Sequence, residues 1–428
     1  MSLGRLLPRH TRLGRFLRRV RESVRPRRPH GRPFSNEELL ARTDEFNRNA
    51  EAYWKELATN PTDRDALLRK PFGAIEDAAS ILYRLGIVLS ELRLGVGHTV
   101  LDLGAGACWL SAYLNRLGAR TIAVDVSPTA LELGRELFRL DPRQRLELEP
   151  QFLVYDGRRL PLPDASVDRV VSFDAFHHVP NENEILGEVF RVLRDGGRVV
   201  FAEPGEGHSH SGQSAAETER FHVLENELDL GALLRAAEAI GFTDMYLKPY
   251  PEPDSLTLTS GDYFRFMKGE DLRFPIDDLR RGLRECYIFA LTKGRERADS
   301  RNPHVLRAEI ALRGPAAVAG PPAAEVVVSV KVRNTGDTLW LHEEVPTGGY
   351  VRLGAHLLDA NRATLDWNFV RVALPADVPP GESVSLDARL RLPGTPGRYV
   401  LRLDLVDEGV TWFEQKGSGG VDVELLVR

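Results

Sequence analysis

Cysteine is almost absent: the 428 residues hold only Cys108 and Cys286, far apart and in no C-x-x-C pattern. That excludes a disulfide framework and a cysteine-rich zinc site, and it fits a reducing cytoplasm. Long apolar runs are missing as well. No stretch approaches the roughly 18 residues of a membrane span. Solenoid-like repeats are absent. Lysine is scarce beside arginine, which points to a GC-rich bacterial genome. What is present is ordinary for a globular protein, 42 % apolar and 28 % charged residues, and the length calls for two domains.

The net charge of −5 hides an asymmetry. Residues 1–33 hold eleven arginines and one acid, Glu22, so this leader carries +10 and the rest −15. The leader has no apolar core of the kind a secretory signal needs. Pro26, Pro29 and Pro33 favour a disordered basic tail over residues 1–34. The other reading is a basic amphipathic helix built on Leu13, Phe16, Leu17 and Val20. It would make a peripheral membrane contact at the inner face or meet an acidic partner. No nucleic-acid partner is expected.

From Ser35 to about Arg93 the pattern is helical, opened by a capping box of Ser35 and Glu38. Strands and helices then alternate. The strands are expected at 99–103, 121–124, 151–154, 169–173, 198–202, 245–247 and 286–293. Helices are expected at 109–117, 128–139, 181–193 and 229–240. This is the pattern of an α/β fold, a doubly wound, mostly parallel seven-stranded sheet with helices on both faces. After "GRERADSRNPH" the helical period vanishes. Short alternating runs from "EVVVSVKVRN" to "GVDVELLVR", separated by turn signals such as "NTGD" and "PPGE", predict an all-β, immunoglobulin-like sandwich. "GPAAVAGPPAA" (314–324) reads as a loop within it. The expected domains are 35–298 and 302–428.

The first strand runs into "VLDLGAGACWLSAYL" (100–114). A strand ending in a glycine turn brings backbone N–H groups and a helix start to a ligand. A dinucleotide site would read G-x-G-x-x-G, but Trp109 stands where the third glycine would make room for a pyrophosphate. Asp102 would also repel one. A cationic ligand without phosphates fits better, and S-adenosylmethionine is one. The second strand ends in Asp125, placed to accept both ribose hydroxyls. Asp156 follows the third strand, where an adenine amino group would lie.

Together "VLDLGAGACWLS", "AVDVSPTAL", "YDGRRLPLPDASVDRVVSFDAFHHV" and "EILGEVFRVLRDGGRVVFAEPG" resemble the class I S-adenosylmethionine-dependent methyltransferases, of the type 11 kind. The resemblance covers residues 98–205 directly and implies a Rossmann-like fold with S-adenosylmethionine as cofactor. It implies that Asp102, Gly104 and Gly106 line the methionine part. Asp125 would hold the ribose, Asp156 and Gly157 the adenine, and the backbone at 173–175, with Asp174, would border the methyl group. The family usually has glycine where this chain has Cys108.

Methyl transfer to oxygen also needs a base. Asp174, His177, His178, Glu203, Glu206, His208, His210, His222 and Glu225 follow the strand ends. Alternation past the fourth strand turns only one of the tandem histidines to the crevice. His178 is preferred over His177, and Glu203 is held in reserve. "GEGHSHSG" matches no strong metal-ligand spacing, so no metal is expected. Tyr53, Trp54 and "RKPFG" (69–73) are read either as a lid over the cofactor or as a cover for one sheet face. The C-terminal module resembles those attached to bacterial surface-glycan enzymes. There Trp340, Trp367 and Trp412 either stack on sugar or fill the sandwich core. The expected function is O-methylation of a glycan or glycan precursor in polysaccharide biosynthesis, in the cytoplasm. A quinone-like small metabolite is the rival acceptor. A non-catalytic cofactor-binding scaffold, recruiting a protein partner through the sandwich, is the rival of another class.

Overall fold

The computed structural model describes residues 35–248, 259–270, 280, 282–284 and 286–428. The leader lies outside the described residues. Among those described, no helix is long and apolar enough to cross a membrane.

Among the described residues four helices come first: α1 (Asn36–Ala41), α2 (Thr43–Thr59), α3 (Pro61–Arg69) and α4 (Ile75–Leu92). The capping box forms as read, with Glu38 accepting from the Ser35 N–H at 2.7 Å. Asn60 caps α3, where Pro61 stands at the first helical position. Seven strands follow: β1 (Thr99–Leu103), β2 (Arg120–Asp125), β3 (Gln151–Val154), β4 (Val167–Phe173), β5 (Leu193–Pro204), β6 (Phe242–Lys248) and β7 (Cys286–Lys293). Helices α5 (Trp109–Arg116), α6 (Pro128–Leu140), α7 (Glu182–Val192), α8 (Gly212–Phe221), α9 (Leu230–Ile240) and α10 (Ser260–Met267) are interleaved. The sheet order is β3-β2-β1-β4-β5-β7-β6. All neighbours are parallel except β7, which runs against both β5 and β6. The expected mostly parallel, seven-stranded sheet is therefore the observed one.

Alternation along β1 splits its side chains between two cores. Leu101 and Leu103 join the layer under α7 and α9, whereas Val100 packs with α4 and α5. Register aligns the strand ends, with Leu103 opposite Val124 and Asp125 opposite Val154. The parallel strands thus stop along one edge, where doubly wound sheets bind ligands. Helix α2 lies over that edge. Glu51 accepts from Ser127 Oγ (2.5 Å) and Thr129 Oγ1 (2.7 Å) at the start of α6, and Tyr53 packs edge-on against Phe221 of α8.

The C-terminal part has two packed sheets. One orders β13 (Ser383–Arg391), β10 (Glu325–Asn334) and β8 (Ala308–Leu312). The other orders β12 (Thr364–Ala373), β11 (Val351–Asp359), β14 (Gly397–Asp407), β16 (Val421–Val427) and β9 (Ala317–Gly320), with β15 (Thr411–Trp412) beside β14. One apolar core joins them. The 314–324 stretch is not wholly loop. Ala317–Gly320 pairs in parallel with β16, which its alanine-rich composition concealed. Trp340 is fully buried in the core, edge-on to Phe413, while Trp367 stays 41 % exposed.

The stretch between the two expected domains makes polar contacts to both sides. Arg301 donates to Asp168 at the start of β4, its carbonyl accepts from Val96 N–H at 2.8 Å, and Asn302 donates to the Arg93 carbonyl. Nearby, Asp407 is buried with neither carboxylate oxygen bonded. Burial, reinforced by Asp299 and Glu408, pushes its carboxyl up to about 8. An acid raised this way is protonated later in the unfolded chain's titration than in the folded one as pH falls, so it costs stability as pH rises from about 4 to about 8. We expect Asp407→Asn to stabilise the chain by about 1–3 kcal/mol at pH 7.5 and by almost nothing near pH 4. Denaturant midpoints at the two pH values check this, and equal shifts would refute it.

Candidate active site

Three glycines with positive φ build the wall of the crevice: Gly104 (71°), Gly106 (52°) and Gly157 (76°). Each is closed off by a neighbour. A Cβ on Gly104 would lie 2.5 Å from the Ala175 methyl, on Gly106 2.8 Å from the Trp54 ring, and on Gly157 2.9 Å from the Asn47 amide. Side chains there would close the cradle. Cys108 also has positive φ (59°), which explains why glycine suits this position in the resembled family. Its sulfur is accommodated by Gly134 of α6, where a Cβ would come within 2.2 Å of Sγ.

Asp125 is buried at the end of β2 and held by two backbone donors, Gly106 N–H to Oδ2 and Ser127 N–H to Oδ1, both at 2.8 Å. Burial raises its carboxyl. Asp102 is likewise buried, and burial lifts it to about 6. Its Oδ2 accepts from Ser111 N–H (3.0 Å) and Oγ (2.7 Å), which ties β1 to α5. Asp156 is exposed, and its Oδ1 accepts from the N–H groups of Arg158 and Arg159, shaping the turn that presents Gly157. The Asp156 carbonyl accepts from Asn47 (2.8 Å).

Past β4, the carboxylate of Asp174, the expected cofactor contact, is paired with Arg84 of α4, at 2.5 and 2.8 Å. Glu203 was the reserve base. It is wholly buried and accepts from five donors: the N–H groups of Ala175, Phe176 and His177, Ser172 Oγ, and His177 Nδ1 at 2.8 Å. Burial pushes it up to about 7, while the donors favour the carboxylate. It anchors the loop and has no face toward a substrate. His177 is buried on that anchor, and burial drives its pKa well down. His178 is different: its side chain is 42 % exposed, and Nδ1 faces the Leu224 carbonyl at 2.6 Å. The tandem pair does divide as alternation requires, one inward and one outward.

Glu225 completes this side. Its carboxylate lies 3.0 Å from His208 Nε2, 3.5 Å from His178 Nδ1 and 3.8 Å from His177 Nε2. His177, His178 and Glu225 each offer a ligand atom within 4.8 Å of the others. Sequence reasoning missed Asn47, Glu51 and Arg84, which sit on helices before β1 and carry no motif. Lys70 of the "RKPFG" stretch is half-buried over the Trp109 ring, and burial lowers its pKa. The Trp54 ring lies against Gly106.

Residues 101–201 match a family model described as a methyltransferase domain. The chain is 35 % identical over 114 residues to the methyltransferase GfsG of Streptomyces halstedii, covering 26 % of this chain and 40 % of that one. It is 38 % identical over 107 residues to the demethylmenaquinone methyltransferase of Clavibacter sepedonicus, covering 25 % and 41 %. It therefore spans about two fifths of the length of these relatives. A solved S-adenosylmethionine-dependent methyltransferase from Mesorhizobium loti aligns at 18 % identity and a TM-score of 0.38, covering 50 % of this chain and 99 % of that one. Residues 101–201 are thus similar to methyltransferase domains. S-adenosylmethionine would fit the residues present: a glycine cradle at Gly104, Gly106 and Gly157, the backbone-held carboxylate of Asp125, and a cation, Lys70, over the Trp109 ring. Asp125→Ala is expected to weaken S-adenosylmethionine binding by about 1–3 kcal/mol in calorimetry. Unchanged affinity would remove Asp125 from the site.

Proposed function

We propose that this protein transfers a methyl group from S-adenosylmethionine to a hydroxyl oxygen of a glycan or glycan precursor. Residues 35–298 are the transferase unit, and 302–428 form an immunoglobulin-like module that engages the acceptor or a partner protein. The observation that carries the oxygen-acceptor reading is His178, half-exposed beside the crevice with Nδ1 tied to a carbonyl. That bond keeps the proton on Nδ1 and leaves the Nε2 lone pair for an acceptor hydroxyl.

When bound, S-adenosylmethionine supplies a methyl group on a cationic sulfonium. The chain's own residues do the rest. Asp125 orients the ribose hydroxyls. Lys70 and the free oxygen of Asp102 meet the charged ends of the methionine, and the Asp156–Gly157 turn meets the adenine. The 173–175 backbone, fixed by Glu203, borders the methyl group, and the Trp54 roof excludes water. His178 removes the acceptor proton, and Glu225 favours the resulting imidazolium.

The sandwich supports the glycan part. Its strand order suits an immunoglobulin-like module, and Tyr399 donates to the Thr395 carbonyl (3.0 Å) near the start of β14, as a tyrosine corner does. Trp367 offers an exposed aromatic face for a sugar ring. The similarity to a demethylmenaquinone methyltransferase favours a second reading, a quinone acceptor methylated on carbon. The exposed imidazole of His178 and the half-buried one of His208, backed by Glu225, favour a polar acceptor instead.

Full-length protein with methyl-labelled S-adenosylmethionine should label bacterial surface-glycan extract as a methyl ether. Label on demethylmenaquinone would support the second reading, and no turnover with either would support a scaffold. His178→Ala should lower turnover at least about tenfold with cofactor affinity near the parent value. Full activity in that variant would exclude His178 as the base.

A further inference from the structure

We propose that His356, Asp404 and Glu414 hold a divalent transition-metal cation on the outer face of the sandwich's larger sheet, with zinc the ion that best matches the ligands. The site is separate from the transferase crevice and stands whether or not that reading holds.

Leu353, Ala355 and Leu357 of β11 enter the core, so His356 points to the opposite face. On β14, Leu403 and Leu405 enter the core and Asp404 shares the outer face. His356 and Asp404 are nonetheless each only 1 % exposed. The His356 ring packs against both Trp367 and Trp412, with centroids 3.9 and 4.1 Å away. Gly354 makes this cover close, since a Cβ there would come within 2.6 Å of the Trp412 ring. His356 Nδ1 faces the Trp367 carbonyl at 2.5 Å, which puts the proton on Nδ1 and the lone pair on Nε2. That second-sphere bond is the kind that orients a metal-binding histidine.

Nε2 and Asp404 Oδ1 are buried, and neither has a hydrogen-bond partner. Glu414 Oε1 lies 3.7 Å from Nε2, and one atom from each of the three residues lies within 4.8 Å of the others. Asp404 Oδ2 accepts from the Glu414 N–H at 3.0 Å, so the two carboxylates are held together. The nearby guanidiniums are engaged elsewhere: Arg402 with Asp422, and Arg371 with Glu408 and Asn368. The result is three acceptor atoms, two of them buried, converging with no donor between them. Such an arrangement is costly unless a cation or an added proton fills it. Nitrogen and carboxylate ligands suit zinc, and two ligands about 2.1 Å from a tetrahedral ion sit about 3.4 Å apart. The spacing here needs only a small closure. Three protein ligands leave a fourth position for water or a hydroxyl oxygen, and Glu414, 27 % exposed, marks the entry.

The histidine cluster of the transferase unit differs. There His208 Nε2 already reaches Glu225 at 3.0 Å, so a proton can fill the gap.

The test uses the full chain, stripped with a chelator and titrated with Co²⁺ and then Zn²⁺. One equivalent of Co²⁺ should give visible absorption of a four-coordinate site, displaced by Zn²⁺, and Zn²⁺ should raise the melting temperature. Glu414→Gln and Asp404→Asn should each weaken Co²⁺ binding at least about tenfold, with circular dichroism confirming that both variants fold. Absence of binding at micromolar metal would overturn the proposal. So would binding that survives both substitutions but is lost in Glu225→Gln, which would put the ion at the other cluster.

Discussion

The carboxylate of Glu203 has no access to water, so it must be met by donors from the protein. It draws in the backbone N–H groups of residues 175–177, the Ser172 hydroxyl and the His177 ring. That single requirement ties the end of β5 to the loop leaving β4. It turns His177 inward, which leaves its neighbour His178 to face out, and it presses Ala175 against Gly104 across the crevice. The 175–177 loop and the exposed histidine hold their positions because this one buried carboxylate is met by donors. Without it, the β4 loop would be an ordinary strand exit.

A second layer of charge organises the rest. Arg84 clamps Asp174, Glu51 binds the start of α6, and Arg301 joins the sandwich to the base of the sheet through Asp168. These pairs are partly buried, where ion pairs fix geometry more than they add stability. They set the N-terminal helices over the cofactor edge and attach the β-sandwich at the opposite edge. The two ends of the sheet thus differ, with the glycine cradle at one and the attachment of the sandwich at the other.

The sequence was most readable where periodicity and glycine turns carry the signal. All seven strands of the sheet were legible, and so was the capping box at Ser35, because each is written locally. The strand–turn–helix corner at Asp102, Gly104 and Gly106 was legible because an apolar run, two glycines and a helical period are all written locally. Glu203 was misread because its strand-end position suits either an anchor or a base, and only burial decides between them. The pairing of Asp174 with Arg84 was not legible, because Arg84 lies ninety residues earlier on an unremarkable helix. The β9 strand was hidden by a Pro/Gly/Ala composition that resembles a loop. The cluster of His356, Asp404 and Glu414 was invisible, since strand pairing alone brings its members together.

The most direct measurement is a crystal structure of the full chain with S-adenosylhomocysteine. The account predicts both ribose hydroxyls within hydrogen-bond distance of the Asp125 carboxylate. It places the adenine against the Asp156–Gly157 turn, the sulfur beside the 173–175 backbone, and His178 Nε2 on the open side of that sulfur. A nucleoside bound away from Asp125, or a sulfur walled off from His178, would contradict it.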